Sequence, residues 1–180
     1  MPNGIKKVVK KKETKKDKSV HMCCDKERLF KEKYDKLFIK YNLPNFKELN
    51  EDFDITEEDI NSYTILRDIR KAMIVKFSGF LNFTELLLNP TNGQMFNMFL
   101  SRGIGEKEKD SLNILFEKLG GIVVSSLVLD VIYDENKEAE FIRDNFNEWQ
   151  KMKKEIYEMM SFLGENWGKA NFKKQKSYFG

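Results

Sequence analysis

The chain has 180 residues, of which 41% are hydrophobic and 34% are charged, and its formal net charge is +3. This length predicts one domain with a sizeable core, and the apolar content excludes a disordered protein. Only Pro2, Pro44 and Pro90 are obligatory helix breakers, so long helices are expected.

The positive charge is concentrated at the two ends of the chain. Residues 1–20 contain eight lysines and two acids, and residues 169–180 contain four lysines and no acid. The stretch from 21 to 168 holds 20 basic and 27 acidic residues, which gives it a charge of −7. We therefore expect no basic nucleic-acid-binding core, and we expect residues 1–22 to be a disordered lysine-rich tail.

Four consecutive residues at the end of this tail, His21, Met22, Cys23 and Cys24, carry ligand types for a soft metal. A structural zinc site needs a second ligand pair, which the sequence lacks, so we expect no metal and no cofactor. Adjacent cysteines bridge each other only with strain, which argues against a secreted disulfide framework and favours the cytoplasm. Met22 is also an alternative start of the chain.

The first helix is predicted from Asp25 to Tyr41, where apolar residues recur every three or four positions. Pro44 interrupts the pattern. A short connecting stretch follows, and five apolar residues in it should pack on the bundle: Leu43, Phe46, Leu49, Phe53 and Ile55. Thr56 precedes three acids, as a helix cap does, so the second helix should run from Glu57 to Leu88.

A turn at residues 90–93 separates this helix from a short, very apolar helical segment that begins at Met95 and ends at Gly103. We expect this segment to cover one end of the bundle. The next helix starts at Glu106, and its buried face is predicted to consist of Leu112, Leu115, Phe116, Leu119, Val123, Leu127 and Val131 or their neighbours.

Two features of this helix leave alternatives open. Gly120 and Gly121 weaken a helix interior, so we expect a close helix approach or a kink there. The β-branched residues of Ile122–Ile132 would also suit a β-strand, but a single strand would have no pairing partner, which favours helix. The apolar run is too short to span a membrane.

The last helix is predicted from Asp134 to Trp167, with nine residues on one face: Ala139, Ile142, Phe146, Trp149, Met152, Ile156, Met160, Leu163 and Trp167. Residues 169–180 form a basic, aromatic tail. Short connections make neighbouring helices antiparallel, so the predicted fold is an all-α antiparallel bundle of three long helices, one shorter helix and the short apolar segment, over residues 23–168.

Catalytic residue types are scarce in this sequence. His21 is the only histidine, so a di-iron site, a Cys–His pair within a rigid core and a Ser–His pair are all excluded from the bundle. No phosphate-binding glycine loop is present. We therefore expect a protein without enzymatic activity and without a small-molecule substrate.

Two sets of residues are candidates for binding partners. The wide apolar face near the C-terminus suggests a protein partner or self-association through Trp149, Met152, Met159, Met160 and Trp167. The basic ends suggest contact with nucleic acid or a ribosome through Lys6, Lys7, Lys10, Lys11, Lys12, Lys15, Lys16, Lys169, Lys173, Lys174 and Lys176. Core packing of the apolar set and simple solvation of the lysines are the alternatives.

Three stretches of the chain, Leu43–Phe53, Leu66–Arg70 and Asp134–Trp149, together resemble a group of small all-helical archaeal proteins that has no known function. The resemblance covers residues 43–167. It implies a helical fold and assigns no functional residues.

Overall fold

The computed structural model describes the backbone of residues 15–56, 60–61, 63–90, 95–101 and 103–169, and the side chains of residues 28–167 within these ranges except that of Met95. It contains six helices: α1 Lys15–Tyr41, α2 Phe46–Phe53, α3 Ile65–Leu88, α4 Met95–Ser101, α5 Glu106–Val131 and α6 Glu135–Lys169. No strand occurs in these ranges, which confirms the all-α class. The helical alternative for residues 122–132 is also confirmed as far as Val131.

Helix α1 is longer than the sequence predicts. It begins at Lys15, ten residues before the expected start, and thus includes residues 15–22, which we expected to be disordered. No proline or glycine lies in this stretch, and lysine is a good helix former. The helix ends at Asn42, which has the left-handed φ of 51°, and the amide of Leu43 then donates a hydrogen bond to the Phe38 carbonyl.

The connecting stretch after α1 is itself helical and packs into the core as expected. Asn45 caps α2 by accepting a hydrogen bond from the amide of Lys47 at 2.9 Å. The apolar residues of α2 face the core: Leu49 is fully inaccessible to solvent, and Phe53 is only 4% exposed. The five aromatic and aliphatic residues named above therefore belong to the core, apart from the half-buried Phe46.

Helix α3 begins eight residues later than predicted, at Ile65. The reason is a local turn in which Asp68 accepts hydrogen bonds from the Asn61 amide and from the Thr64 hydroxyl, while Asn61 accepts one from the Tyr63 amide. Such side-chain bonds to neighbouring backbone compete with the helix. Thr56 therefore does not cap α3.

The starts of α5 and α6 agree with the sequence prediction because capping residues are present at both. The Gly105 amide donates to the Glu108 carboxylate at 3.0 Å at the start of α5. At the start of α6, Asp134 accepts hydrogen bonds from the amides of Asn136 and Lys137. The Asp134 contacts lie in the short connection between α5 and α6.

The three helices α3, α5 and α6 form the antiparallel centre of the bundle. Arg70, early in α3, contacts Asp130 near the end of α5 and Glu138 near the start of α6. At the opposite end, one apolar cluster joins Leu87 of α3 with Leu112 of α5 and Leu163 of α6, and α4 and the residues after it add Leu100 and Ile104 to this cluster. The short apolar segment therefore covers one end of the bundle, as predicted.

The main core takes in residues of α1, α2, α3, α5 and α6, and its aromatic centre lies between α2, α3 and α6. The rings of Phe53, Phe77 and Trp149 meet there, with centroid distances of 5.5 Å between Phe53 and Phe77 and 5.8 Å between Phe77 and Trp149. Aromatic pairs at these distances stabilise a core beyond the area they bury.

Among the helices of the described residues, none is both long and apolar enough to cross a membrane.

Candidate interaction surface

Helix α5 carries an exposed apolar stripe along its C-terminal half, which we call the outer face of α5: Val124, Leu127, Val128 and Val131. These side chains are 58–82% exposed. Their spacing of three and four positions places them on one side of the helix over two turns. Ile132 and Tyr133, just after the helix, extend the apolar surface and are 67% and 48% exposed.

The inner side of α5 explains why this stripe points outward. Leu119, Ile122 and Leu129 are buried in the main core, and Ser126 is 2% exposed. We predicted Leu127 and Val131 to lie on the buried side, and that assignment is wrong. Most positions from 122 to 132 are apolar, so periodicity alone does not show which side of α5 faces inward. The inward side is marked by Ser126 and Asp130, the polar partners of Arg70.

Arg70 on α3 is the group that fixes the rotation of α5. Its side chain is 1% exposed, and its Nε donates to Glu138 Oε2 at 2.7 Å while Nη2 donates to Asp130 Oδ1 at 2.7 Å. Nη1 donates to both the carbonyl and the hydroxyl of Ser126. A single arginine thus joins α3, α5 and α6, and it holds Ser126 and Asp130 on the inner side of α5.

The charges of this cluster stabilise one another. Burial alone would lower the pKa of Arg70, but its hydrogen bonds to Glu138 and Asp130 raise that pKa above the usual value. The hydrogen bond from Arg70 lowers the pKa of Asp130, and the nearby charges of Lys71 and Arg67 lower it further. Arg70 and Asp130 therefore keep their charges at neutral pH.

One side of the cluster is less completely bonded. Arg67 Nε and Glu138 Oε1 are 3.8 Å apart, and both are buried atoms without a hydrogen bond. The guanidinium of Arg67 lies 4.7 Å from the centre of the Tyr133 ring, a favourable cation–π distance. This contact holds Tyr133 against the bundle at the end of the apolar stripe.

The two glycines of α5 lie one turn before the stripe. A Cβ atom added to Gly120 or Gly121 would have no neighbouring atom within 4 Å. Of the two reasons expected for these glycines, a close helix approach and a kink, the first is therefore wrong within the described residues. The space beside both glycines is open.

The predicted C-terminal partner face is divided by the structure. Trp149 and Met152 are 3% and 0% exposed, so both belong to the core and do not lie on an accessible face. Met159 and Met160 are half-buried, and Trp167 is 44% exposed, with its ring 5.2 Å from that of Phe96. The periodic spacing that suggested a partner surface is for the most part the core-facing side of α6.

A groove of about 420 Å³ remains between the N-terminal half of α5 and the C-terminal half of α6. Met159, Phe162 and Ile114 line it together with charged residues at its rim. The groove is shallow, and its polar groups do not converge on one point as those of a substrate site do.

The predicted lysine contacts fall outside the part of the chain whose side chains are described. Lys15 and Lys16 lie in the first turn of α1, and Lys169 is the last residue of α6. The others lie outside the described residues altogether: Lys6, Lys7, Lys10, Lys11, Lys12, Lys173, Lys174 and Lys176. The side chains of His21, Cys23 and Cys24 on α1 are not described either.

A second polar cluster ties α2 to α6. Asp52 accepts hydrogen bonds from Gln150 at 2.6 Å and from Lys153, and Lys76 of α3 donates to its backbone carbonyl. Burial alone would raise the pKa of Asp52, but the hydrogen bonds lower it below its usual value. All these groups are engaged in structural contacts. Within the described residues, no group of His, Cys, Asp and Glu has the arrangement of a metal site.

The sequence contained the signal for the outer face of α5, but we assigned two of its residues to the core. The spacing at 124, 127, 128 and 131 is visible, and the polar residues Ser126 and Asp130 lie between these positions. A comparison of the chain with family models, with curated proteins and with solved structures gave no match.

Proposed function

We propose that the protein is a non-enzymatic helical interaction module that binds another protein or a second copy of itself through the outer face of α5. The observation that supports this proposal is the stripe of exposed apolar side chains at Val124, Leu127, Val128 and Val131, which Ile132 and Tyr133 follow. Isolated exposed apolar residues are common on proteins, whereas contiguous apolar patches mark interaction sites.

The size of this surface favours a binding role. Four aliphatic side chains on one side of α5 are 58–82% exposed, and Ile132 and Tyr133 follow them. A contiguous apolar patch marks an interaction site, and full burial of each valine or leucine contributes about 1.5–3 kcal/mol.

The other long helix of the bundle has a different outer side. On α6 the exposed positions around the middle of the helix are charged, for example Lys151, Lys154, Glu155 and Glu158. Among the described residues of these two helices, only α5 presents a stripe of exposed aliphatic side chains. Because Arg70 fixes the rotation of α5, the surface is presented in one rigid orientation, which lowers the entropy cost of binding.

The alternative function is an RNA- or ribosome-associated factor that uses the basic ends of the chain. Its support is the eight lysines of residues 1–20 and the four of residues 169–180. Binding of this kind would depend steeply on salt, because lysines release counterions from the phosphate backbone. It would also be independent of the outer face of α5.

The experiment that separates the two functions is affinity purification from native lysate with and without nuclease, with a differently tagged second copy present. The baits are the wild-type chain, Val124→Glu/Val128→Glu, and the control Val75→Glu, which alters a valine that is 75% exposed on α3. We expect a protein that resists nuclease and is lost only with the α5 variant. Retention that nuclease abolishes, or that the α5 variant leaves unchanged, would contradict the proposal.

A further inference from the structure

We propose that a groove of about 490 Å³ between α1 and α2 binds single-stranded RNA, with a base stacked on Phe38 and phosphates held by Lys31 and Lys47. This inference goes beyond the proposed function, because the groove shares no residue with the outer face of α5. It also differs from the alternative function, because it depends on described residues of the helical bundle and not on the basic ends of the chain.

The positive charge of the helical domain is concentrated around this groove. Residues 28–47, which cover the C-terminal half of α1 and the start of α2, hold six basic and two acidic residues. Residues 48–168 hold 13 basic and 23 acidic residues. The net charges of the two stretches are therefore +4 and −10, a division that the average over residues 21–168 conceals. A strand of phosphates is attracted to the first stretch and repelled by the second.

The cations of this region are accessible to phosphate groups. Lys31 of α1 and Lys47 of α2 line the groove, and both are exposed. Lys47 Nζ lies 3.7 Å from the Glu51 carboxylate, and these side chains are 84% and 64% exposed. Arg28 and Lys40 likewise form exposed ion pairs. Because exposed ion pairs contribute little to stability, a phosphate replaces the carboxylate partner at little cost.

Phe38 offers an aromatic surface to a base. Its side chain is 39% exposed and lines the groove, and it belongs to neither of the apolar clusters formed by the described residues. The half-buried Phe46 lines the groove from α2, and edge contacts with Phe30 and Tyr34 hold its ring at centroid distances of 4.7 Å and 5.2 Å. Aromatic rings in a basic groove stack with the bases of a single strand, whereas the bases of a duplex already stack on one another.

An acid in the same groove favours RNA over other polyanions. Asp35 lines the groove one turn of α1 before Phe38. Its carboxylate repels a phosphate or an acidic peptide, but it accepts a hydrogen bond from the 2′-hydroxyl of a ribose. The carboxamide of Asn50, which also lines the groove, can bond to a base edge. Lysines, an aromatic ring and a carboxylate together therefore fit a ribonucleotide strand better than DNA or an acidic peptide.

The first test is fluorescence anisotropy of a labelled oligouridine of about twelve nucleotides with the purified full-length chain at several salt concentrations. Phe38→Leu should weaken binding at least about fivefold without changing its salt dependence, because a stacked base is lost and no charge changes. Lys31→Gln/Lys47→Gln should make the slope of log K against log salt concentration less steep by about 1.4, since each phosphate contact contributes about 0.7.

The matched control is Lys151→Gln/Lys154→Gln, which removes the same charge from two exposed lysines of α6. This control should keep the affinity and the salt slope of the wild type. Groove variants that bind the oligouridine as this control does would overturn the inference, because the binding would then come from other parts of the chain. A wild-type chain that does not bind the oligouridine at low salt would overturn it as well.

The second test compares competing ligands. Oligodeoxyuridine of the same length lacks the 2′-hydroxyls, and polyglutamate of the same charge lacks the bases. Both should compete less well than unlabelled oligouridine, and Asp35→Ala should bring the affinities for RNA and DNA closer together. Equal competition by the DNA would overturn the assignment to RNA, and equal competition by polyglutamate would mean that the groove binds acidic peptides.

The two proposals fail independently. Nuclease removes RNA held by the groove, whereas it leaves a protein held by the outer face of α5. A chain that captures such a protein and does not bind oligouridine contradicts only the RNA site, and a chain with the opposite behaviour contradicts only the interaction module.

Discussion

Replacing Arg70 by methionine should destabilise the fold by about 3–5 kcal/mol, the usual cost of removing one partner of a buried ion pair. Methionine keeps much of the side-chain volume but leaves Glu138 with 0% exposure and no hydrogen-bonded cation. Arg67, 3.8 Å away and without a hydrogen bond, compensates only in part. Asp130 is half exposed and can be solvated. The penalty therefore arises mainly at Glu138.

The assay is urea denaturation followed by far-ultraviolet circular dichroism, with thermal unfolding as a second readout. For a chain of this length, a loss of 3–5 kcal/mol corresponds to a fall in Tm of roughly 6–20 °C. The double variant Arg70→Met/Glu138→Met removes both buried charges and should recover most of the loss, because a buried ion pair and an apolar pair of similar size are comparable in stability. A single variant within about 1 kcal/mol of the wild type, or a double variant as unstable as the single one, would refute the reasoning.

Three further changes have expected outcomes. Asn45→Ala removes the cap of α2 and should cost about 1 kcal/mol in urea denaturation, whereas no loss would mean that the cap is dispensable. The folded state lowers the pKa of Asp52, so its contact with Lys153 stabilises the protein above the unfolded pKa of 3.8 and is lost as the pH falls below that value. The variant Asp52→Asn should therefore lose less stability than the wild type between pH 6 and pH 3. An unchanged pH profile would contradict this expectation. Gly121→Ala should raise the free energy of unfolding by about 0.5–1 kcal/mol, because the site is open and helical; a loss of stability would mean that another part of the chain occupies that space.

The sequence predicts well those parts of the fold whose signals are local. The start of α5 at Glu106 and the start of α6 after Asp134 were predicted because capping groups and apolar periodicity agree there. The start of α3 was not, because Asp68 bonds to Asn61 across a turn that no periodic pattern indicates. Helix α1 extends back to Lys15 through a polar stretch whose composition resembles a disordered tail.

The candidate surface depended on a contact between distant parts of the chain. The rotation of α5 follows from the bonds that Arg70 makes to Ser126 and Asp130, 56 and 60 positions away. An arginine in an amphipathic helix is ordinarily exposed, so no sequence pattern places Arg70 in the core. Without Arg70 in the core, nothing places Ser126 and Asp130 on the inner side of α5, and the sequence analysis therefore assigns the apolar Leu127 and Val131 to the buried side.

The most direct test of the central claim is carbene footprinting of the wild-type chain over a range of protein concentrations, with labelling quantified at Leu127, Val128, Val131 and, as the reference, Val75. At low concentration the outer face of α5 should label about as strongly as Val75, because its side chains are 58–82% exposed. Labelling of the α5 residues that stays far below that of Val75 at every concentration would contradict an exposed interaction surface.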